Sequence, residues 1–191
     1  AVTGVTNSEG ASASWGRASV ALVTSRGFAG GYARTTHSVS ATALAGSGTG
    51  MERDWDYSSV LHLSDLGDAA TIGRNAGEKA VRRLNPRRPN SAKLPVVFDP
   101  RVAGSLLGHL SGAINGASVV RGTTFLKDAV GTQVLAAGLT VRDDPTRRRG
   151  LRSRPFDGEG VPGQPRAIVE NGVLTTWVLD WRSARQLGLA S

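Results

Sequence analysis

Small or apolar residues alternate with polar ones over much of the first third of the chain. The runs SVALVTS at residues 19–25 and SVSATALAG at residues 38–46 show this period of two, and Gly27 and the pair Gly30-Gly31 lie between them. Such alternation, interrupted by glycine-rich turns, is typical of antiparallel strands with one face in solvent. The pattern predicts an antiparallel β-meander over residues 1–63.

Two later segments change to the helical spacing of three and four residues. In the first, we expect Ser64 or Asp65 to cap a helix that ends before Pro86 and Pro89. Its apolar stripe consists of Leu66, Ala69, Ile72, Ala76, Ala80 and Leu84.

The second helix is predicted to follow LPVVFD, residues 94–99, a short apolar run that indicates a buried strand. Asp99 can cap this helix, and Pro100 suits its first position because the missing N–H has no helical partner there. The helix is expected to end near Asn115-Gly116. Its stripe recurs every four residues and consists of Val102, Leu106, Leu110 and Ile114.

Near the end of the chain, RAIVENGVLTTWVLD contains two strand-like runs joined by Asn171-Gly172. This dipeptide between apolar runs is the strongest short-range signal for a β-hairpin. The order of elements predicts an α+β fold of mostly antiparallel sheets with two main helices. We expect residues 1–93 to form the meander plus the first helix, and residues 94–191 to form a second domain.

Composition excludes several kinds of protein and site. The 191 residues are 39% apolar, which suffices for a core, and no run reaches the roughly 20 apolar residues of a membrane span, so we expect a soluble protein. Cysteine is absent, which excludes disulfides, a thiol nucleophile and thiolate metal ligands within these residues. The opening has neither a methionine nor a signal-peptide pattern. We interpret the sequence as a segment of a longer protein.

The formal net charge of +8 raises the question of nucleic-acid binding. Arginine supplies 20 of the 23 basic residues, since only three are lysine, and the arginines cluster beside prolines and glycines in predicted loops. Aromatic residues make up 5% and do not interleave with these arginines, so the stacking surfaces of single-strand binders are missing. The pattern favours a solvated loop surface over a nucleic-acid contact. The clusters are Arg82-Arg83, Arg87-Arg88, and Arg147-Arg148-Arg149 with Arg152 and Arg154.

Two long stretches resemble the TldD/PmbA family, whose members were named modulators of DNA gyrase and include zinc-dependent peptidases. They are LLGHLSGAINGASVVRGTTFLKDAVGTQVL and PFDGEGVPGQPRAIVENGVLTTWVLDWRSARQLGL, and VTNSEG and MERDWDYS fit the family's earlier strands. The resemblance covers essentially the whole chain. It implies that residues 1–93 are the end of an N-terminal domain and that residues 94–191 begin a metallopeptidase-like C-terminal domain.

In the catalytic branch, TldD, a His-Glu-x-x-x-His motif lies on the helix after the strand equivalent to LPVVFD. The resemblance implies that its histidines bind zinc, its glutamate activates water and a distant cysteine completes the site. Aligned through Leu106-Leu107, the motif positions fall on Gly108, His109 and Ala113. Shifting the alignment by one residue does not restore the motif, because the motif needs two histidines and this helix contains one. We therefore expect no catalytic residue, metal or other cofactor in this chain, and zinc only in a TldD-like partner.

The glycines and His109 match the GH-L-x-G-A-I form of the other branch, which is called PmbA or TldE. The resemblance implies that this branch shares the fold of TldD but lacks its zinc ligands. From the residues alone, His109 lies beside the apolar stripe and is expected to pack or to donate to a backbone carbonyl. His37 and His62 show no ligand spacing with it.

Asp157 and Glu159 in FDGEG could form a paired-carboxylate site, but the flanking glycines and prolines favour an exposed loop. The resemblance implies that this loop occurs in both branches, which points to structure or to the lining of a peptide channel. His109, Asp157 and Glu159 are therefore our candidates for residues that line such a channel.

Three hypotheses of function follow. The first is a non-catalytic PmbA/TldE-like subunit that pairs with a TldD-like zinc peptidase subunit, and the protein could form a homo- or hetero-dimer. The resemblance implies cytoplasmic processing or degradation of small unfolded peptides, such as microcin precursors and antitoxins, and such a peptide could bind by joining a sheet edge. The second is a basic module that interacts with DNA or with gyrase. We do not expect its binding to nucleic acid to be sequence-specific. The third is an enzyme whose catalytic residues lie outside these 191 residues.

Overall fold

The computed structural model describes residues 1–190, which form two compact units. The first unit comprises residues 1–92 together with 148–153, and the second comprises residues 93–147 together with the chain from residue 154 onward. The second unit is thus interrupted in sequence by a short segment of the first. Each unit has its own sheet and its own cluster of buried apolar side chains.

A three-stranded antiparallel meander forms the sheet of the first unit, as predicted. Its strands, in sequence order and in sheet order, are β1 (Val5–Val23), β2 (Ala29–Ala45) and β3 (Glu52–Val60). β3 pairs only with the half of β2 from His37 to Ala45, so β1 and β2 continue beyond it as a two-stranded ribbon. Gly27 lies in the connecting turn at a φ of +87°, whereas Gly30 and Gly31, which we expected in a turn, lie inside β2.

Helix α1 (Ala69–Arg82) packs across β2 and β3. The predicted stripe is confirmed at Ile72, Ala76 and Ala80, which are buried, and the two alanines pack against Ala43 and Ala45 of β2. Small side chains on both elements allow the helix to approach the sheet closely.

The predicted cap of this helix at Ser64 or Asp65 is wrong, because α1 begins later. Residues 63–65 form a separate 3₁₀ turn, and the N–H of Gly67 then donates to Ser58 Oγ at 3.0 Å. This bond ties the chain to β3 before the helix begins. The cap is Asp68, whose Oδ2 accepts from the N–H of Thr71 at 2.8 Å.

The second unit combines a small antiparallel sheet with three helices among its described residues. The strands are β4 (Val141–Asp143), β5 (Arg166–Glu170) and β6 (Val173–Leu174), and the helices are α2 (Pro100–Ala113), α3 (Gly116–Val120) and α4 (Trp181–Leu187). The buried core consists of Ile114, Leu126, Ile168, Val169 and Leu174. The predicted α+β class with mostly antiparallel sheets is confirmed.

Two predictions for this unit have opposite outcomes. Asn171 and Gly172 join β5 to β6 with φ values of +48° and +83°, as a tight hairpin turn requires, so the hairpin is confirmed. The strand predicted at residues 94–99 is wrong: this segment belongs to no strand, and Val97 is 95% exposed. Pro95 lacks an N–H for pairing, and no strand in the described part of the chain lies beside it.

Candidate functional site

Helix α2 carries the motif positions, and its own first residues determine where it begins. Asp99 Oδ1 accepts from the N–H of Arg101 at 2.9 Å, and Pro100 occupies the first turn. Both features were predicted and both are confirmed. Because the helix begins at residue 100, positions 108, 109 and 113 fall in its second half.

The apolar stripe of α2 reaches a core only at its C-terminal end. No residue within the helix is fully buried, and Val102 and Leu106 are each 51% exposed. Leu110 and Ala113 pack against the core of the second unit, and Ile114, directly after the helix, is buried in it. The end of α2 is therefore anchored, while most of the helix is in contact with solvent.

The three motif positions have different surroundings. Gly108 has open space where a side chain would begin, because a Cβ there would meet nothing within 4 Å. His109 is exposed, and it forms no hydrogen bond or ion pair with another residue of the described chain, so the expected packing role is wrong. Ala113 contacts the core, and its carbonyl accepts from Thr124 Oγ1 at 2.7 Å. The assignment of His109 to a peptide channel stays a prediction.

A zinc ion does not fit these residues. Zinc in proteins normally takes three or four side-chain ligands. Gly108 and Ala113 offer no donor atom, and in residues 1–190 no group of three or more His, Cys, Asp or Glu side chains is arranged to hold a metal. His37 and His62 belong to the first unit, whereas His109 belongs to the second. No catalytic step through a metal can therefore be assigned to the residues that the structure describes.

Asp157 organises the loop in which it lies. Its Oδ1 accepts from the backbone N–H groups of Glu159 and Val161, each at 2.9 Å, and its own N–H donates to the Val161 carbonyl at 3.0 Å. The neighbouring Phe156 is buried. The carboxylate is half-buried and already holds two backbone donors, which is the arrangement of a turn-forming residue.

Glu159 forms its contacts with a helix further along the chain. Both of its carboxylate oxygens accept from the N–H of Trp181, at 3.0 and 3.2 Å, at the first residue of α4. Free N–H groups at a helix N-terminus favour a negative charge. Glu159 thereby connects the FDGEG loop to α4, a role that the spacing of 22 residues does not reveal.

An open groove of about 520 Å³ lies beside the FDGEG loop in the second unit. Its lining includes Asp143, Arg154, Phe156, Asp157 and Arg166, so charged groups of both signs face it. Neither Glu159 nor His109 is part of that lining. The structure thus brings one of the three channel candidates, Asp157, to a groove and does not place the three in one pocket.

Two polar residues near these elements were missed in the sequence. Thr124 is buried and links the end of α2 to the following loop. Asp180 caps α4 by accepting from the N–H of Ser183 at 2.7 Å, and hydrogen bonds from the Ser183 hydroxyl and N–H hold the pKa of Asp180 below its usual value. The run DWRS, with an acidic cap three residues before a serine, is a signal that could have identified the start of this helix.

Two arginines of the predicted loop clusters have acidic partners. In the first unit, Arg83 lies 3.6 Å from carboxylate oxygens of both Glu52 and Asp54, and Arg149 Nη1 lies 2.6 Å from Asp65 Oδ1. These ion pairs interrupt the positive charge that a nucleic-acid surface would need.

Comparisons with known proteins agree with this architecture. Residues 2–84 match the profile of the PmbA/TldA metallopeptidase central domain, and residues 91–191 match that of the C-terminal domain. Metalloprotease PmbA of Escherichia coli O157:H7 is 41% identical over 98% of this chain and 42% of its own length, and a PmbA homolog of Haemophilus influenzae is 35% identical over 87% and 37%. The chain therefore spans about two fifths of the length of these relatives.

A crystal structure described as a putative modulator of DNA gyrase, from Bacteroides thetaiotaomicron, superposes with a TM-score of 0.89 at 29% identity, over 94% of this chain and 41% of that one. Sequence and fold thus agree over nearly all of the residues. The chain belongs to the PmbA/TldD metallopeptidase family.

Proposed function

We propose that this chain is a non-catalytic, PmbA/TldE-like subunit that functions with a TldD-like zinc peptidase subunit. In this proposal the partner supplies the zinc, the water-activating glutamate and the remaining ligand. The pair processes or degrades small unfolded peptides in the cytoplasm.

The observation that carries the proposal is the chemistry of the motif positions on α2. In the alignment through Leu106-Leu107 that the resemblance implies, Gly108 and Ala113 take the positions of the zinc-binding imidazoles, and His109 takes the position of the carboxylate. A lone imidazole cannot lower the pKa of a water molecule as a bound zinc ion does. The chain therefore has a family fold without the means of metal-assisted hydrolysis at that helix.

The comparisons favour the PmbA side of the family. Relatives named PmbA match at 41% and 35% identity, whereas a relative named as a TldD homolog, from Buchnera aphidicola, matches at 29% over 71% of this chain. The higher identity to the relatives named PmbA supports the assignment to the PmbA/TldE branch, which the residues of α2 also favour.

Metal analysis tests the silent-subunit assignment without any partner. The chain, purified without a histidine tag and dialysed against zinc, should hold far less than one zinc per chain, because three or four ligands are not available together. A variant with Ala substituted for His109 should hold the same amount as the unaltered chain. Close to one tightly bound zinc per chain would contradict the proposal.

A further inference from the structure

Four segments of the second unit line the open groove beside the FDGEG loop, which we call the FDGEG groove. They are the end of β4 with the residues after it, the loop over residues 154–165, the first residue of β5 and the chain just before α4. At about 520 Å³, the groove has the size of pockets that hold small molecules. Helix α2 and its motif positions do not contribute to the lining.

Backbone contacts hold the walls of the FDGEG groove together. The N–H of Arg154 donates to the Pro145 carbonyl at 2.8 Å, and the N–H of Gly163 donates to the Pro155 carbonyl at 3.2 Å. A Cβ at residue 163 would lie 2.7 Å from Pro145 Cγ, so glycine allows the two loops to approach closely. The prolines restrict the backbone further, because their φ is fixed. The groove is therefore formed before a ligand binds.

Three charged side chains of the lining have no partner within residues 1–190. They are Asp143, Arg154 and Arg166, and the side chain of each forms no hydrogen bond or ion pair there. Arg166 lies directly opposite Asp143 in the β4–β5 ladder, and such opposite residues have Cβ atoms about 5 Å apart. Arg154 is bonded through its backbone to Pro145, two residues after Asp143. The three side chains therefore begin close together.

The charges of the FDGEG groove balance. The fourth charged residue of the lining, Asp157, already accepts from the N–H groups of Glu159 and Val161 through Oδ1. Two guanidinium groups and two carboxylates give the lining no formal net charge. A phosphate dianion would be attracted by the arginines but repelled by both carboxylates. The groove instead suits a ligand that carries one charge of each sign.

Apolar side chains also line the groove. Val161, Val178 and Leu179 are partly exposed in the lining, next to the buried Phe156. An apolar group that packs against them is removed from water, which stabilises the complex. The complementary ligand therefore combines two opposite charges with an apolar group.

We propose that the FDGEG groove binds a free α-amino acid with an apolar side chain. Arg154 and Arg166 hold its carboxylate, because guanidinium groups bind carboxylates through paired hydrogen bonds. Asp143 accepts from its ammonium group, and its side chain packs on the apolar wall. Both groups of a free amino acid are charged at neutral pH, so the ligand matches the charge balance of the groove. The inference is independent of the proposed function.

NMR titration of the ¹⁵N-labelled full chain with L-leucine tests the inference without any variant. The amide signals of Gly163 and Arg166 should shift in a saturable manner, with a Kd on the order of 1 mM because the charged groups are exposed to solvent. Leucinamide lacks the carboxylate and N-acetyl-leucine lacks the ammonium group, so each should bind at least about fivefold more weakly. Leucyl-leucine, whose charges are farther apart, should also bind more weakly than leucine.

Substitutions identify the residues that hold the ligand. Arg166→Gln and Asp143→Asn should each weaken leucine binding about three- to tenfold. In Asp143→Asn, the difference between leucine and N-acetyl-leucine should disappear. Arg142→Gln is the matched control and should bind leucine like the unaltered chain, because Arg142 precedes Asp143 on β4 but is not part of the lining. Asp157 is left unaltered because it organises the loop.

The inference would be overturned by the absence of a saturable shift up to about 50 mM leucine. Binding of leucinamide, N-acetyl-leucine or leucyl-leucine as tight as that of leucine would also overturn it, as would displacement of leucine by equimolar inorganic phosphate. An equal loss in Arg142→Gln would show that the groove residues are not the cause. These measurements involve neither zinc nor hydrolysis, so their failure leaves the silent-subunit proposal standing.

Discussion

At the residue scale, an ion pair between the sheet and α1 is the clearest charged contact of the first unit. Lys79 Nζ lies 2.6 Å from Asp56 Oδ1, Asn75 donates to Asp56 Oδ2 at 2.9 Å, and the two charged side chains are only 21% and 15% exposed. Burial raises the pKa of the Asp56 carboxyl, but the hydrogen bonds from Lys79 and Asn75 and the positive charge of Lys79 outweigh it. The pKa of Asp56 therefore lies below its usual value.

Lys79→Met should lower the free energy of unfolding at neutral pH by about 1–2 kcal/mol, because a mostly buried carboxylate loses its charged donor. Since the folded pKa is depressed, this stabilisation is complete above the unfolded pKa of about 4 and is lost as the pH falls through the folded value. Urea unfolding should therefore show a difference between variant and unaltered chain that shrinks towards about pH 3. Arg82→Met, at an exposed position of the same helix, is the control. A difference that does not depend on pH would contradict this account of Asp56.

The residues that sequence reasoning identified correctly are those with local partners. Asp99 caps a helix two residues away, so its role is visible in the sequence DPR. Glu159 bonds to Trp181, 22 residues away, and Asp56 bonds to Lys79, 23 residues away, and no local pattern indicates either pair. The sequence places Asp157 in a loop, but it does not show that Asp157 Oδ1 accepts from the N–H groups of Glu159 and Val161 in that loop.

At the element scale, the β5–β6 hairpin is held by the loop that surrounds its turn. The N–H of Gly172 donates to the Leu139 carbonyl at 2.7 Å, and its carbonyl accepts from the N–H groups of Val134 and Leu135. A Cβ at this position would come within 2.8 Å of the Ala136 carbonyl oxygen. Glycine is therefore required both by the positive φ and by the close approach of the loop.

Gly172→Ala should destabilise the chain by about 2–4 kcal/mol, the sum of an unfavourable φ and a steric clash. Gly131 has the same φ of +83° but open space around its Cβ position, so Gly131→Ala isolates the backbone contribution and should cost only about 1–2 kcal/mol. Urea unfolding of the two variants measures the difference. Equal losses would show that the loop does not pack against the turn as described.

Elements with local sequence signals could be predicted from the sequence. The segment LPVVFD could not, because a strand depends on a neighbouring strand that the sequence does not reveal. Asn171-Gly172 and the Asp99-Pro100 start of α2 determine their own geometry, and both were predicted. The segment LPVVFD has the composition of a buried strand, but a strand forms only beside another, and none is available to it in residues 1–190. Val102 and Leu106 are exposed for a similar reason. Helical spacing predicts that they share one face of α2, but it does not predict which element packs against that face.

At the scale of the whole molecule, the 23 basic residues behind the net charge of +8 are spread over helices, strands and loops, and some of them, such as Arg83 and Arg149, lie beside carboxylates. DNA binding should therefore be weak, independent of sequence, and reduced at least tenfold between about 50 and 200 mM salt. A fluorescence titration with two unrelated duplexes checks this. Sequence-dependent affinity that survives physiological salt would favour the DNA- or gyrase-binding hypothesis instead.

The central claim is that this chain has the family's fold without its catalytic zinc site, and peptide hydrolysis tests it most directly. The assay measures cleavage of an unfolded fluorogenic peptide by this chain, by a TldD-like chain carrying the His-Glu-x-x-x-His motif, and by both together, each with and without a chelator. We predict no cleavage by this chain alone, cleavage when both are present, and loss of that cleavage with chelator, because water activation requires the partner's metal. Chelator-resistant cleavage by this chain alone would contradict the claim.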